Sequence, residues 1–93
     1  MTCELSEYEL DILYKIVRKN RWCKKHISQD DIVRGFPSHD IGIYKNAIKS
    51  LIKKGLLVCY KSKGRNDVCI PKRNRATIIE IFDAHNFEIW FIR

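Results

Sequence analysis

The stretch IYKNAIKSLIKKGLLVCYKSKGR, residues 43 to 65, largely decides how this chain folds. In its first half apolar residues recur at helical spacing, and Gly55 follows at a place where a helix would end. After that glycine, apolar and polar residues alternate as in a strand, and turn-forming residues gather around Gly64. We therefore expect a helix, a strand and a basic turn in direct succession.

The helix within this stretch is predicted to begin after Ser38 or Asp40, either of which can cap it, and to run to Lys54. At 3.6 residues per turn its apolar and polar residues separate onto two faces. The face predicted to be buried contains Ile41, Tyr44, Ala47, Ile48 and Leu51. The opposite face contains Gly42, Lys45, Asn46, Lys49 and Lys53. We expect this second face to be exposed, and it is small and cationic.

A first helix is predicted near the N-terminus. Ser6 and Glu9 have the spacing of a capping box, and Leu5 can pack on Leu10 as a hydrophobic staple. Apolar residues then recur at helical spacing until the polar run 18–21. One face of this helix must therefore lie on a core.

A short second helix is predicted to follow Ser28. This serine can cap it, and Asp31 places an acid in the first turn, where the helix dipole favours one. Gly35 and Pro37 stop the helix by about Phe36. The order is then a helix, a short helix, a tight turn and a longer helix.

A β-hairpin is predicted to follow the third helix. The first strand is expected over residues 56–60, the turn over residues 61–67, and the second strand over residues 68–70, with Pro71 ending the pairing. Asn74 can cap a fourth helix, whose apolar residues are Ile78, Ile79, Ile81 and Phe82. Residues 87–92 fit either an edge strand or a continuation of that helix, and we favour the strand.

The net charge of +7 is concentrated in one part of the chain. Residues 44–75 contain ten of the eighteen basic residues and one of the eleven acids, whereas residues 1–43 balance at zero and residues 76–93 carry −2. Charge of one sign on a helix, a hairpin and the segment after it is typical of a surface that meets a phosphate backbone. Nucleic acid is therefore the first partner to consider.

Length and composition favour one cytoplasmic domain. Ninety-three residues with 45% apolar content are enough for a single core. The apolar run of residues 89–92 is far too short to cross a membrane, and the acidic start does not resemble a signal peptide. The chain shows no clustered carboxylates, no glycine-rich phosphate loop and no nucleophile beside a base. We expect neither an enzyme nor a cofactor nor a small-molecule substrate.

The four cysteines follow no metal or redox motif. Cys3, Cys23, Cys59 and Cys69 are irregularly spaced, so we expect free thiols in a reducing cytosol. If the protein came from a thermophile, Cys59 and Cys69 could form a disulfide across the predicted hairpin. Cys23 and His26 have the spacing of two zinc ligands, but small buried thiols are the favoured interpretation, and no metal is expected.

The stretch that opens this section resembles the recognition helix and first wing strand of winged helix-turn-helix transcription regulators from bacteria and archaea. The resemblance extends over residues 28–70. It implies an α+β fold with a three-helix core and a β-hairpin wing, in which residues 1–73 form the winged-helix domain. Residues 74–93 would be a C-terminal helix and apolar tail that extend the same domain for packing or dimerisation.

The resemblance also implies a function. A winged helix of this kind binds double-stranded DNA with its third helix in the major groove and its wing on the backbone. The implied DNA-contacting residues are Ser38, His39, Gly42, Lys45, Asn46, Lys49, Lys53, Lys61, Lys63, Arg65, Asn66, Lys72, Arg73 and Arg75. Among these, Lys45, Asn46 and Lys49 are the base-contact candidates, whereas Gly42 leaves a gap between longer side chains.

The C-terminal tail is more apolar than a minimal winged helix needs. We expect part of it to form a homodimer interface, since two half-sites would give useful DNA affinity. The interface candidates are Phe82, Phe87, Ile89, Trp90, Phe91 and Ile92. Trp22 is predicted to close the core. The alternative function is an interaction module whose basic face contacts an acidic protein or RNA.

Overall fold

The computed structural model describes residues 5–19, 22–23, 26–62 and 64–87 of the chain. Four α-helices and three strands lie within these residues: α1 (Glu7–Arg18), β1 (Ile27–Ser28), α2 (Gln29–Val33), α3 (Ile41–Lys53), β2 (Val58–Ser62), β3 (Arg65–Cys69) and α4 (Arg75–Ala84). Two 3-10 turns, Ser38–Asp40 and Lys72–Asn74, lead into α3 and α4. This order is that of a winged helix, and the predicted α+β fold class is confirmed.

The predicted capping residues of α1 and α2 are confirmed. In α1 the hydroxyl of Ser6 accepts a hydrogen bond from the Glu9 amide at 3.2 Å, and the Ser6 amide donates to Glu9 Oε1 at 3.0 Å. In α2 the hydroxyl of Ser28 accepts from the Asp31 amide at 3.1 Å. Asp40 occupies the cap position of α3, but its side chain makes no capping hydrogen bond. A 3-10 turn leads into that helix instead.

Three side-chain hydrogen bonds fix α3 onto α1. Near the start of α3 the hydroxyl of Tyr44 donates to Asp11 Oδ2 at 3.1 Å. Just past its end Lys54 Nζ donates to Glu9 Oε2 at 2.8 Å, and the hydroxyl of Ser50 donates to the same oxygen at 3.1 Å. Because these contacts lie near the two ends of the helix, they limit both its sliding and its rotation.

The sheet has the strand order β1-β3-β2 and is antiparallel throughout. β2 and β3 pair from Val58 opposite Cys69 to Ser62 opposite Arg65. The predicted turn over residues 61–67 was therefore too long, because Gly64 adopts a φ of 80° and lets the chain reverse within a tight connection. β1 was not predicted, since a strand of two residues has no periodicity.

Leu56 and Leu57 do not begin the first wing strand, contrary to the prediction. They follow Gly55, which has a φ of 80°, and both are buried in the core. The amides of Leu56 and Leu57 donate to the carbonyl of Leu51 at 3.0 and 3.4 Å. These leucines thus close the end of α3 before the wing starts.

A disulfide joins Cys23 to Cys69, across a sequence separation of 46 residues. Beside it the Cys23 amide donates to the Ile70 carbonyl at 3.1 Å, and Trp22 is buried as predicted. The prediction of free thiols was wrong for both cysteines. A Cys59–Cys69 bond is excluded as well, because Cys59 lies opposite Val68 and is a free thiol on the core side of the sheet.

α4 contributes Ile78 and Phe82 to the same core as the other helices, and both are fully buried. Phe82 is therefore a core residue of this subunit, which corrects its placement at a dimer interface. The side chain of Asn74 does not cap α4 but donates to the Gly55 carbonyl at 2.9 Å. The helix ends at Ala84, so it does not continue into residue 87. Residues 88–93, where we favoured a strand, lie outside the described residues.

Candidate nucleic-acid interface

The exposed face of α3 is the feature on which the candidate interface rests. Gly42, Lys45, Asn46, Lys49 and Lys53, named here the helix face, are all exposed, as predicted. The opposite side of α3 is buried through Tyr44, Ala47, Ile48 and Leu51. A helix fixed on one side and exposed on the other can present its cations to a partner without rearranging.

Tyr44 is the main apolar anchor behind the helix face. Its ring stacks on Phe36 with centroids 3.9 Å apart and meets the edge of Tyr8 at 5.2 Å. Burial raises the pKa of its hydroxyl to about 12, assisted by the hydrogen bond to Asp11. The phenol therefore stays neutral at physiological pH and keeps its hydrogen bond.

Lys54 and Glu9 anchor the other end of α3. Burial tends to raise the pKa of the Glu9 carboxyl, but hydrogen bonds from Lys54, Ser6 and Ser50 outweigh it, and the net shift is downward from 4.5. Glu9 is only 5% exposed. Its carboxylate therefore stays ionised and holds the lysine at neutral pH.

The surroundings of the helix face contain two acids. Lys45 Nζ lies 3.9 Å from Asp30 Oδ1, and both side chains remain largely exposed. At the start of α3, His39 Nε2 lies 3.6 Å from Asp40 Oδ2, and Ser38 is exposed beside it. Exposed ion pairs contribute little stability, so Lys45 remains available to exchange Asp30 for a phosphate or base.

Ile43 is a candidate contact that sequence reasoning missed. It is 44% exposed, one of two large apolar side chains in the described chain with such exposure. An apolar side chain in a major groove contacts the thymine methyl group. Its position, next to Gly42 and off the buried face, was the signal in the sequence.

The wing places its polar residues on two faces. Lys61 and Asn66 lie opposite each other and, by strand alternation, share the sheet side of Cys59 and Val68, which packs on the helices. Both side chains are exposed near the tip. They therefore extend from the side of the sheet on which the helices lie.

Arg65 projects from the other side of the wing and is already paired. Its Nη2 lies 3.2 Å from Oδ2 of Asp67, a carboxylate with 6% side-chain exposure. A contact of Arg65 with DNA would require this ion pair to loosen. Lys63, also a predicted contact, lies outside the described residues.

Lys72, Arg73 and Arg75, named here the basal cluster, lie at the end of the hairpin away from its tip. Arg75 lies 5.7 Å from the ring of buried Trp22, and Lys72 and Arg73 line a cavity with Cys23 and Tyr60. Along the strands this end is about 13 Å from the tip. The basal cluster and the wing tip therefore lie at opposite ends of the hairpin.

Tyr60 is a second exposed feature that the sequence did not reveal. Its ring is 41% exposed and stacks on His26 with centroids 4.3 Å apart and an interplanar angle of 7°. Tyr60 and His26 come from β2 and from the residue before β1, so their stacking depends on the sheet order. In the sequence, Tyr60 and His26 are isolated residues, and no pattern indicates that their rings stack.

Of the predicted dimer residues, Phe87 is the one that can be placed besides Phe82. It is half-buried and packs on Tyr14 and Phe82, with ring centroids 5.2 Å apart in each pair. Ile89, Trp90, Phe91 and Ile92 lie outside the described residues. The dimer interface stays a prediction.

The disulfide also bears on the considered metal site. Cys23 is bonded to Cys69, so its sulfur is not a thiolate ligand beside His26. Among the described residues no three histidine, cysteine, aspartate or glutamate side chains cluster as metal ligands.

None of the described helices has the length and apolar character needed to cross a membrane.

Comparison with known proteins supports the fold. No protein-family model matches the chain. No curated protein matches it. Among solved structures, the chain is similar to that described as "Crystal structure of SSV1 F-93", with a TM-score of 0.56, 18% sequence identity, and coverage of 92% of this chain and 93% of that chain. The likeness extends over nearly the whole length of both chains and shows a shared fold.

Proposed function

We propose that this protein binds double-stranded DNA and regulates transcription, with α3 in the major groove and the wing on the backbone. The observation that carries the proposal is the helix face: a cationic, exposed surface on a helix whose other side is fixed to α1 and to the core. A helix presented in this way is the element with which helix-turn-helix proteins read the major groove.

Base contacts are assigned to residues 43–49 of α3. Asn46 has the amide that pairs bidentately with adenine, and Lys45 and Lys49 can donate to guanine, each good pair discriminating by about 1–3 kcal/mol. Ile43 adds an apolar contact suited to a thymine methyl. These side chains span two turns of one helix, which matches the few base pairs that a recognition helix reaches.

Phosphate contacts are assigned to residues at the two ends of α3 and on the wing. Ser38 and His39 precede the helix, Lys53 lies at its end, and Lys61 and Asn66 project from the wing. Contacts of this kind position the protein on the duplex and carry no sequence information directly. The basal cluster is left out of this interface, because it lies at the far end of the hairpin.

We further propose that the protein acts as a homodimer through its C-terminal tail. Residues 1–73 would form the winged-helix domain and residues 74–93 its extension, and the packing of Ile78 into the common core supports this arrangement. A dimer would place two α3 helices about 34 Å apart, one turn of DNA. Sedimentation equilibrium tests the dimer, and a monomer at every concentration would contradict it.

A duplex-DNA titration at two salt concentrations tests the proposed function. A protein that makes about five phosphate contacts should lose roughly 500-fold in affinity between about 50 mM and 200 mM salt. Fluorescence anisotropy with a long mixed-sequence duplex measures this loss. No binding at the lower salt concentration would contradict the proposal, as would binding that salt does not weaken.

A further inference from the structure

A cavity of about 350 Å³ lies between α1, β1, α2 and the wing. Its lining includes Lys15, Lys19, His26, Asp31, Arg34 and Arg65. Four of these side chains are lysine or arginine and one is an acid. The excess of cations is hidden in the sequence, because the residues come from distant segments.

Lys15 lines this cavity, and hydrogen bonds hold its ammonium group in place. Its ammonium donates to the carbonyl of Ile32 at 2.7 Å and to that of Arg34, so it satisfies carbonyls at the end of α2. Burial lowers its pKa, and the nearby charges of Lys19 and Arg34 lower it further. An anion in the cavity would relieve this repulsion.

The acids near the cavity do not balance its cations. Asp31, the acid in the lining, pairs with Arg34 at 3.1 Å. Arg65 pairs with Asp67 at 3.2 Å. Within the described chain, neither Lys19 nor His26 has an ion-pair partner. Lys15 faces backbone carbonyls instead of a carboxylate, so positive charge is left over in this cavity.

We infer that this cavity binds a phosphate group carried by a small molecule or by a nucleic-acid backbone. Its volume lies within the range of small-molecule sites. Lysine and arginine are the side chains that bind phosphate, by charge and by bidentate hydrogen bonds respectively. Stacking on Tyr60 holds the ring of His26 at the edge of the site, where it can donate a further hydrogen bond.

The inference is distinct from the proposed DNA interface. The helix face lines no part of this cavity, and of the predicted DNA contacts Arg65 alone is shared. A protein that binds no duplex could still fill the site. The two proposals therefore fail separately.

Isothermal titration with inorganic pyrophosphate at constant ionic strength tests the site. We expect saturable binding with one pyrophosphate per chain, weakened roughly five- to tenfold by Lys19→Gln, since one cation beside the ligand is lost. Lys72→Gln is the matched control: it removes the same charge from an exposed position outside both the cavity and the proposed DNA interface and should leave binding unchanged. Both variants are checked for unchanged thermal unfolding.

Two results would overturn the inference. One is no saturable binding up to about 1 mM pyrophosphate, an affinity worth about 4 kcal/mol. The other is an equal loss in the Lys19→Gln and Lys72→Gln variants, which would indicate attraction to net charge instead of a defined site.

A second arm of the experiment separates the two sources of phosphate. If the phosphate belongs to DNA, Lys19→Gln weakens duplex binding by a similar factor and a bound duplex excludes pyrophosphate. If it belongs to a small molecule, the duplex and pyrophosphate bind at the same time. Either result supports the cavity as a phosphate site.

Discussion

The helix face and the basal cluster each contain three basic residues, but their surroundings in the structure differ. The helix face projects from a helix that is anchored behind by Tyr44 and Glu9. In the basal cluster, Arg75 lies over buried Trp22, next to the Cys23–Cys69 disulfide. The comparison teaches that a run of basic residues predicts a surface charge but not its task. The role of a cationic group depends on whether its side chains project freely from the surface, as on the exposed face of α3, or pack on the core, as Arg75 does on Trp22.

The largest expected effect concerns DNA affinity. Replacing Lys45, Asn46 and Lys49 by alanine should weaken binding about a thousandfold, because base and phosphate contacts are lost together. The comparison variant Lys72→Gln/Arg73→Gln removes the same number of charges from the basal cluster and should cost roughly threefold or less. Anisotropy titrations of both variants measure this difference. Equal losses would show that the two cationic groups are not distinct.

The disulfide should have the next largest effect, now on stability. Changing Cys23 and Cys69 to alanine should lower the free energy of unfolding by about 3 kcal/mol, since the bond closes a long loop in the unfolded chain. Chemical denaturation measures this loss. Cys59→Ala, at the free cysteine, is the control and should cost about 1 kcal/mol or less. A double variant as stable as the wild type would contradict a role of the bond in holding the hairpin base.

The ion pair between Glu9 and Lys54 should make the free energy of unfolding depend on pH in the acidic range. Its folded-state pKa lies below 4.5, so its contribution is complete above that pH and is lost as the pH falls through the folded-state pKa. Glu9→Gln should cost about 2 kcal/mol at neutral pH, because Lys54 loses its charged partner. Denaturation measured from neutral to acidic pH should show a smaller acid loss in the variant. An unchanged pH profile would contradict this assignment.

The smallest effect is expected at Gly42. A Cβ added there meets no atom of the described structure within 4 Å, so Gly42→Ala should raise the free energy of unfolding by about 0.5 kcal/mol through helix propensity. Gly55→Ala is the matched control with the opposite sign, because Gly55 has a φ of 80°. Thermal unfolding compares the two. Destabilisation by Gly42→Ala would show that this turn of α3 is packed more tightly than described.

The sequence predicted those parts of the fold that rest on local signals. Ser6 and Glu9 lie one helical turn apart, and the burial of Ala47 and Ile48 follows from helical periodicity. It could not predict the Cys23–Cys69 bond, because that pairing depends on how distant segments meet. Phe82 was wrongly assigned to a dimer interface for a similar reason. The apolar character of a side chain does not indicate whether it packs inside one subunit or between two.

The candidate site divides in the same way. Exposure of Lys45, Asn46 and Lys49 could be predicted from the helical wheel. The pairing of Arg65 with Asp67 could not, since the predicted turn was too long and placed both residues outside a strand. The separation of the basal cluster from the wing tip likewise required the register of the hairpin.

The most direct test of the central claim is an NMR titration of the labelled protein with duplex DNA. The account predicts that the amides of residues 42–49 and of the wing tip, residues 61–66, shift most, while those of the basal cluster shift little. Shifts confined to the basal cluster, or none along α3, would contradict the claim that the helix face reads DNA.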